Sequence, residues 1–435
     1  MSCPHAMERT TPDLETSIRA RQDPSATPRP HPPSPRHQLR ARRHDNRVVA
    51  SGSPLAWMVC RLAHHVGGDL MHVPALGYVV SGSELARSAL LDTERFRKDG
   101  AAGAGAIITQ IMGPSALANM EGEAHVRLRH RLQHLFTAAS VTDMGPAWMR
   151  PLVDRMADRL HRGESVDMAH FARVFTGASM CHMNGIEVSG GEMERRALQM
   201  HEWGSQLVRL TSVRLRPLSP RAVRRGREVF EKLVSPADEV FRIGAEETIP
   251  GRLREAGLTA EEARGVIGMI MLAGMETTAS AIPRMVALLS DLEAWPRLQA
   301  EPETVGAVID EGLRLLAPLP GVTRTVAHDC EWGGRSLRSG RLLVVLLRNA
   351  MRDARVIERC DDFDQDRPIP DPFRHLRFGS GPHFCLGAPL ASGQLSSTLS
   401  AMATAGPIDV VERRYARRVL IPSYARLVVR VRGGR

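Results

Sequence analysis

Cys385 has the residue type and the sequence context of a metal ligand. It lies in the segment FGSGPHFCLG, which runs from Phe378 to Gly387. Gly379 and Gly381 permit a tight loop before the cysteine, and Gly387 lets a flat ligand approach the backbone. The Ala-Pro-Leu-Ala that follows is typical of a helix start, where the helix dipole and free N–H groups stabilise a thiolate. A thiolate binds iron, and on a haem iron it favours O–O cleavage, so the segment predicts a thiolate ligand to a metal cofactor.

An acid and an alcohol stand side by side in the segment AGMETT, residues 273–278. The small Ala273 and Gly274 leave room for a ligand beside the helix that the surrounding pattern predicts. Glu276 and Thr277 can pass protons to an oxygen species bound there. Taken alone, the segment also fits a surface glutamate beside two helical threonines, so its meaning depends on what accompanies it.

Basic side chains that suit a carboxylate ligand lie in EGEAHVRLRHRL, residues 121–132. His125 and Arg129 are four residues apart, so they project from the same side of a helix, and such donors bind carboxylates well. Arg127, His130 and Arg131 crowd the same helix. A solvated basic helix therefore remains an alternative for this segment.

In their order along the chain, these motifs resemble those of the cytochrome P450 family. FGSGPHFCLG is similar to the family's haem-binding loop, F-G-x-G-x-H-x-C-x-G, and AGMETT is similar to its A-G-x-[DE]-T-T. His125 and Arg129 match its H-x-x-x-R. The resemblance covers roughly residues 55–430, nearly all of the part that looks globular.

The resemblance implies that Cys385 binds the iron of a haem b. Glu276 and Thr277 would take part in oxygen activation, as proton source and hydrogen-bond donor. The haem propionates would be contacted by His125, Arg129, Arg324 and His383. Further cofactor contacts would come from Ala273, Gly274, Phe378, Gly379 and Gly387.

Glu311 and Arg314 match the family's E-x-x-R. Their spacing puts both side chains on one helix face, which is commonplace by itself. In the family this pair forms a buried triad with a later arginine, and Arg367 falls at the matching place. The implied role is structural, because the triad would fix the core around the haem loop.

The chain departs from the family's pattern at a few positions. Ser392 and Gln394 stand where relatives often carry Arg and Glu, on a face expected to dock a partner, so docking can differ there. Met351 replaces a usual Asn. Pro283 lies inside a helical pattern and is expected to bend or break its later part.

Hydrophobic spacing predicts a mainly α fold with a minor β region, and the resemblance implies the cytochrome P450 fold. Apolar residues recur at helical spacing in residues 123–136, 151–162, 222–241, 261–290 and 304–316. Strand patterns with turns fall in residues 68–81, 322–347 and 408–433. Residues 354–384 look irregular, and a helix should start after Gly387.

Composition divides the chain at residue 48. Residues 1–48 are rich in Pro and Arg and poor in large apolar side chains, so we expect a disordered extension. Residues 49–435 form the predicted haem domain. The net charge is +10 and nearly all basic residues are Arg, but aromatic residues make up only 4%, which argues against nucleic-acid binding.

The six cysteines show no C-x-x-C pair, which argues against a disulfide framework or a zinc site. The most apolar stretch, Val266 to Met275, is half as long as the ~20 residues that a membrane span needs. The N-terminus lacks the apolar core of a signal peptide. We therefore expect a cytoplasmic monomer without a membrane anchor.

The resemblance implies a monooxygenase that receives two electrons from a separate ferredoxin and ferredoxin reductase, because no fused reductase and no G-x-G-x-x-G fingerprint is found. The alternatives are oxidative coupling in natural-product biosynthesis, a peroxide-driven enzyme and a non-catalytic haem-binding protein; Glu276 and Thr277 favour oxygen activation. Residue types in the family's pocket segments favour an apolar or mixed small molecule, such as a secondary-metabolite intermediate. Those segments are residues 100–117, 195–215 (with Trp203 and Arg209), 269–277 and 319–323.

Overall fold

Helices make up most of the computed structural model, which describes residues 33–66, 68–74, 76–187, 190–210 and 218–433. The predicted mainly α class is confirmed. The α-helices are α1 (Pro35–Gly52), α2 (Pro54–Val66), α3 (Ser83–Leu91), α4 (Ala104–Met112), α5 (Gly122–Leu132), α6 (Ala138–His161), α7 (Met168–Met183), α8 (Met193–Leu210), α9 (Pro220–Val234), α10 (Asp238–Ile243), α11 (Ile249–Glu255), α12 (Ala260–Leu292), α13 (Trp295–Ala300), α14 (Val305–Leu316), α15 (Leu347–Ala350), α16 (Asp371–Arg374) and α17 (Ala388–Ala405).

The strands form three small sheets. They are β1 (Leu70–Val73), β2 (Gly77–Val80), β3 (Phe96–Arg97), β4 (Val166–Asp167), β5 (Val322–Val326), β6 (Cys330–Trp332), β7 (Arg335–Leu337), β8 (Leu342–Val345), β9 (Ile408–Tyr415) and β10 (Tyr424–Val431). The largest sheet has the order β1-β2-β8-β5-β3, the second β4-β10-β9, and the third pairs β6 with β7. The strands predicted in residues 68–81, 322–347 and 408–433 are confirmed.

The long helix α12 passes through the centre of the core. Thr259 and Glu262 form a capping box at its start, which satisfies two of the backbone N–H groups that a helix start leaves free. The helix continues through Pro283 to Leu292, so the expectation that Pro283 would break it is wrong. A proline inside a helix costs about 3 kcal/mol, but every residue from Thr278 to Leu292 is buried. Each large apolar side chain buried there contributes about 1.5–3 kcal/mol, which outweighs the proline.

By length and composition alone, α12 meets the criteria for a membrane-crossing helix, unlike the short stretch considered from the sequence. Of its most apolar window, 67% is buried inside the protein. Its apolar surface is therefore covered by neighbouring helices such as α7, α8 and α14, as expected for a core helix that is hydrophobic on all sides.

Helix α1 lies within the predicted disordered extension, so the boundary at residue 48 is wrong. Ser34 caps the helix by accepting a hydrogen bond from the backbone N–H of His37, and Pro35 occupies the first turn, both favourable at a helix start. Side chains of α1 then attach it to the core: Arg40 donates to the backbone carbonyl of Asp291 at 2.5 Å. Residues 1–32 of the predicted extension lie outside the described residues.

Asp45 of α1 forms a buried ion cluster with arginines from distant parts of the chain. Arg284 of α12 donates to its Oδ1 at 2.7 Å, and the Arg348 guanidinium of α15 lies 2.8 Å from Oδ2. Burial alone would raise the pKa of Asp45, but the positive charges of Arg284, Arg348 and Arg352 outweigh it and hold the pKa at about 2. Composition could not reveal this, because it counts charges without showing which become paired.

We expect Asp45→Asn to lower the free energy of unfolding by about 3–5 kcal/mol, because it leaves Arg284 and Arg348 buried without a counter-charge. The native pKa of Asp45 is depressed, so its stabilisation is present above the unfolded pKa of about 3.9 and is lost as pH falls towards 2. Denaturant titrations of both proteins between pH 7 and pH 2 test this. Asp409→Asn is the control, because Asp409 pairs with Arg432 at the surface and should matter little; equal effects of the two substitutions would contradict the prediction.

Candidate active site

A cavity of ≈ 310 Å³ lies between α12 and the loop that precedes α17. Its remaining walls come mainly from apolar side chains such as Leu90, Met180 and Leu319. Among the residues predicted from the sequence to form the site, those that line it are Cys385, His125, Arg129, Arg324, His383, Ala273, Gly274, Thr277, Phe378, Gly379 and Gly387. Residues that stand up to 262 positions apart in the sequence, His125 and Gly387, thus meet at one cavity.

The predicted pocket segments contribute unequally to the cavity. Five residues between 269 and 277 line the cavity, and Leu319 and Val322 line it from the segment 319–323. Only Leu117 comes from residues 100–117. Residues 195–210, including Trp203 and Arg209, do not line it, and 211–215 lie outside the described residues.

The loop before α17 has the tight turn that its glycines predict. Gly379 and Gly381 have φ of 84° and 68°, a region that side chains other than glycine rarely adopt. The Cys385 N–H donates to the Phe378 carbonyl at 2.9 Å and closes the loop. Space around Gly387 is open. The cysteine side chain therefore faces the cavity at the start of α17.

The helix start does not by itself make Cys385 a thiolate. Burial raises the pKa of its thiol, and this exceeds the opposing effects of the Gly387 N–H and of the positive charges of Arg129 and Lys98. The Gly387 N–H at the helix start acts in the direction that the sequence predicts, and the burial of the thiol acts against it. A metal ion deprotonates a coordinating thiol outright, so the thiolate form requires the cation.

Four of the predicted site residues form a cluster of donors at one edge of the cavity: His125, Arg129, Arg324 and His383. The rings of His125 and His383 are 4.3 Å apart, and the solvated alternative for His125 is wrong because the residue is buried. Arg324, from β5, is buried as well, and no described group accepts a hydrogen bond from its Nε. Burial lowers the pKa of His383 to about 4 and that of Arg324 to about 10.

Lys98 and Glu121 belong to this cluster, although the sequence did not point to them. Lys98 lines the cavity, and its backbone N–H donates to Glu121 at 2.7 Å. The Glu121 carboxylate lies 3.1 Å from His383 Nε2. Burial, together with the charge of Arg324, lowers the pKa of the Lys98 ammonium to about 7. One signal was available: Lys98 is one of two lysines in a chain that otherwise uses arginine.

The cluster fits a ligand with two carboxylates. Among the described residues, the edge of the cavity carries three basic side chains, Lys98, Arg129 and Arg324, and one carboxylate, Glu121. Positive charge is therefore in excess there. Buried charges need a counter-charge, and the unpartnered Arg324 Nε is free to donate to one. The two propionates of a haem would supply that charge, and the Cys385 thiol faces the same cavity.

The acid–alcohol pair points in two directions. Thr277 lines the cavity, and its hydroxyl donates to the Ala273 carbonyl at 2.8 Å. Glu276 does not line it; its carboxyl group accepts a hydrogen bond from Ser205 of α8. Burial raises the pKa of Glu276, which favours the protonated form of this side chain.

The predicted structural triad is confirmed. Arg314 donates to Glu311 through two bonds of 2.7 and 2.8 Å, and Arg367 donates to the same carboxylate at 3.1 Å. All three are buried or nearly so. Arg314 also donates to the backbone carbonyl of Met351 at 2.8 Å, so this contact does not depend on the side chain at position 351.

Gln394 is not a docking-face residue. Its side chain is buried and donates to Ser179 of α7 at 2.9 Å. The expectation that positions 392 and 394 both lie on a partner-docking face is therefore wrong for Gln394, since its spacing from the helix start turns it towards the core. Ser392 is partly exposed.

The fold is rich in helices, and the loop that carries Cys385 faces Ala273 and Gly274 of α12 across a cavity with a polar edge. These features are those of the haem-thiolate class of proteins. The family model "Cytochrome P450" matches residues 245–403. Cytochrome P450-SU2 of Streptomyces griseolus is 31% identical over 289 residues, 65% of this chain and 68% of the relative. Luteothin monooxygenase of Streptomyces thioluteus is 27% identical over 301 residues, which cover 66% of this chain and 70% of the relative.

Solved structures show the same fold. The crystal structure of CalO2 has a TM-score of 0.75 and 22% identity, and covers 89% of this chain and 99% of its own. P450BioI in complex with an acyl carrier protein has a TM-score of 0.75 and 21% identity, and the match covers 88% of this chain and 99% of P450BioI. The chain belongs to the cytochrome P450 family. It is a monooxygenase of that family, whose cofactor is haem bound through a cysteine thiolate.

Proposed function

We propose that this monooxygenase oxidises a small, mainly apolar secondary metabolite, with electrons from a ferredoxin and its reductase. The observation that carries the proposal is the cavity, lined by Cys385 on one side and by Ala273, Gly274 and Thr277 on the other. The bound haem supplies the chemistry, the activation of O2 for insertion of one oxygen atom into the substrate. The residues of the chain bind it, orient the substrate and handle protons.

In this proposal Cys385 is the ligand of the haem iron. His125, Arg129, Arg324 and His383 hold the propionates, together with Lys98. Ala273 and Gly274 leave space beside α12, and Phe378, Gly379 and Gly387 shape the loop. Thr277 presents its Oγ1 to the reaction space, and Glu276 holds the proton that Thr277 passes on.

A secondary metabolite is supported by the cavity and by the relatives' names. Apolar side chains such as Met269, Ile270 and Leu319 line the cavity, and apolar surroundings favour an apolar substrate. The relatives include luteothin monooxygenase and 20-oxo-5-O-mycaminosyltylactone 23-monooxygenase of Streptomyces fradiae. This chain is proposed to act on a molecule of the same broad class.

A ferredoxin as electron donor is supported by surface charge. Helix α5 carries exposed Arg127, His130 and Arg131 on the side away from His125, close to the cavity edge. The net charge of the chain is +10. Basic surfaces speed the association of acidic partners, so an acidic ferredoxin would suit this surface.

The test is a binding screen followed by turnover. Candidate metabolites that shift the haem spin state are incubated with the enzyme, NADPH and a surrogate ferredoxin and reductase under ¹⁸O2. We expect a product that carries one ¹⁸O atom. Coupled products without ¹⁸O would favour the oxidative-coupling alternative, and binding without any NADPH-linked oxidation would contradict the proposal.

We expect Lys98→Met to speed haem loss roughly tenfold, since a charge-assisted hydrogen bond contributes about 1.5–3 kcal/mol. Transfer of haem to apomyoglobin measures the rate. Lys232→Met is a matched control because Lys232, the other lysine, lies exposed on α9. Equal rates for both variants would remove Lys98 from the propionate site.

A further inference from the structure

The carboxyl group of Glu276 joins α12 to α8 through two polar side chains. Ser205 Oγ is hydrogen-bonded to Glu276 Oε1. His201, one helical turn before Ser205, has its Nδ1 3.4 Å from Ser205 Oγ and 3.6 Å from the same carboxyl oxygen. The three groups form a continuous polar chain that leads away from the cavity.

The far end of this chain is a nitrogen without a partner. His201 is buried, with 6% of its surface exposed, and no described group hydrogen-bonds to its Nε2. Buried polar atoms are nearly always paired in proteins, so an unpaired one in the interior needs a functional or solvent-related explanation. Nε2 is the end of the polar chain at which a proton donor would bind.

Close packing fixes the geometry of the chain. Gly204 precedes Ser205, and a Cβ atom at this glycine would lie 2.8 Å from Cε of Met275, the residue before Glu276. The absence of a side chain at Gly204 therefore leaves room for the end of the Met275 side chain between α8 and α12. Ser205 and Glu276 meet beside it, without an intervening side chain.

Other charges surround the chain. Arg173 of α7 and Arg209 of α8 stabilise the ionised form of Glu276, whereas Glu202 of α8 opposes it. Arg173 also opposes a positive charge on His201. Burial outweighs these effects, so that it raises the pKa of Glu276 and lowers that of His201 to about 3. At neutral pH the imidazole is therefore neutral, whereas burial favours the protonated form of the Glu276 carboxyl group.

We propose that His201 and Ser205 form a proton relay that recharges Glu276 from the side of α8. The proposal rests on the proposed oxygen-activating role of Glu276. In the resting arrangement, His201 Nδ1–H donates to Ser205 Oγ, and the Ser205 hydroxyl donates to the Glu276 carboxylate. These two residues are positioning and proton-carrying groups, distinct from the acid–alcohol pair that faces the cavity.

The relay moves one proton in and one proton out. A proton binds to His201 Nε2 while the Nδ1 proton passes to Ser205 Oγ and the Ser205 hydroxyl proton passes to Glu276 Oε1. The imidazole thereby changes tautomer and never accumulates as imidazolium, as its low pKa requires. After Glu276 has given up its proton towards the cavity, rotation of the Ser205 hydroxyl and exchange of the imidazole tautomer restore the starting arrangement.

Ser205→Ala tests the central link. We expect the amount of product formed per NADPH to fall about tenfold, because a single positioned proton-transfer group contributes about tenfold or more to the rate. The yield of hydrogen peroxide should rise by the same amount. The solvent isotope effect on turnover should also increase. Ser205→Thr keeps the hydroxyl and should restore coupling. His201→Phe should lower the product formed per NADPH by the same factor as Ser205→Ala. The double variant should lower it no further than either single variant, because the two residues act as one unit.

Gln206→Ala is the matched control. Gln206 is the next residue on α8 and donates to the exposed Glu202 at 3.1 Å, so its loss should leave coupling unchanged. If Ser205→Ala and His201→Phe lowered the melting temperature but left coupling and the solvent isotope effect unchanged, the residues would be structural and the relay would be overturned.

A readout that needs no turnover separates this proposal from the proposed function. The infrared band of a protonated carboxyl group, assigned by its loss in Glu276→Gln, is followed against pH in the haem-loaded enzyme. We expect Ser205→Ala to shift both its frequency and its midpoint. An unchanged band would refute the relay whether or not a substrate is known, whereas an enzyme that oxidises no compound but shows the shift would refute only the proposed function.

Discussion

Replacing Cys385 by alanine is expected to abolish the thiolate-type Soret band of the ferrous–CO complex and to lower NADPH-linked oxidation on the order of a thousandfold or more. The Cys385 thiolate would push electron density to a bound haem iron and would thereby favour O–O cleavage, and a thousandfold loss corresponds to about 4 kcal/mol of barrier. Haem can still enter the cavity, because Arg129, Arg324 and Lys98 remain. The measurements are a CO-difference spectrum and product yield after reconstitution with haem.

The other cysteines provide the control. Cys60, Cys181 and Cys360 are buried elsewhere and Cys330 lies in β6, and none of these four lines the cavity; Cys3 lies outside the described residues. Cys330→Ala should therefore keep both the spectrum and the activity. A thiolate spectrum that survived Cys385→Ala would contradict the assignment of the ligand and, with it, the proposed arrangement of the site.

The sequence predicted those features of the site that depend on short segments. The loop around Cys385, the spacing of His125 and Arg129, and the pair Glu276–Thr277 are local patterns, and the structure brings them to one cavity with the exception of the Glu276 carboxyl group. Helix and strand patterns were readable for the same reason, since hydrophobic spacing reports which face is buried.

What the sequence could not show is which distant polar groups become partners. Lys98 and Glu121 join His383 across more than 260 residues, and Ser205 meets Glu276 across 71. Such contacts depend on how helices pack, for example on the room that Gly204 of α8 leaves for the Met275 side chain of α12. No motif within α8 marks Ser205, because serine in a helix is common and most often solvated.

The error at the N-terminal boundary has the same origin. Residues 35–48 are highly charged, and composition associates such segments with disorder. Asp45, however, offsets the charge of Arg284 inside the core, and Arg40 satisfies carbonyl groups near the end of α12. A polar helix can thus be well packed where its charges meet complementary buried groups, which only the three-dimensional arrangement reveals.

Replacing Thr277 by alanine is expected to leave haem binding and the ferrous–CO spectrum intact while about a tenfold smaller fraction of the NADPH consumed yields product. The Thr277 hydroxyl lines the cavity, where rotation away from the Ala273 carbonyl lets it donate a hydrogen bond to an oxygen species, and loss of one positioned proton donor costs about tenfold or more. Reducing equivalents then leave as hydrogen peroxide. NADPH, O2, peroxide and product are measured together.

Two variants separate this effect from the loss of a helical hydroxyl group. Thr277→Ser keeps the Oγ and should retain most of the coupling. Thr176→Ala removes a hydroxyl that likewise donates to the carbonyl four residues earlier, at 2.9 Å in α7, compared with 2.8 Å for Thr277, yet it does not line the cavity. If Thr277→Ala stayed as coupled as Thr176→Ala, Glu276 would have to deliver its proton without the neighbouring hydroxyl, and the relay through Ser205 would then have to end at the carboxyl group itself.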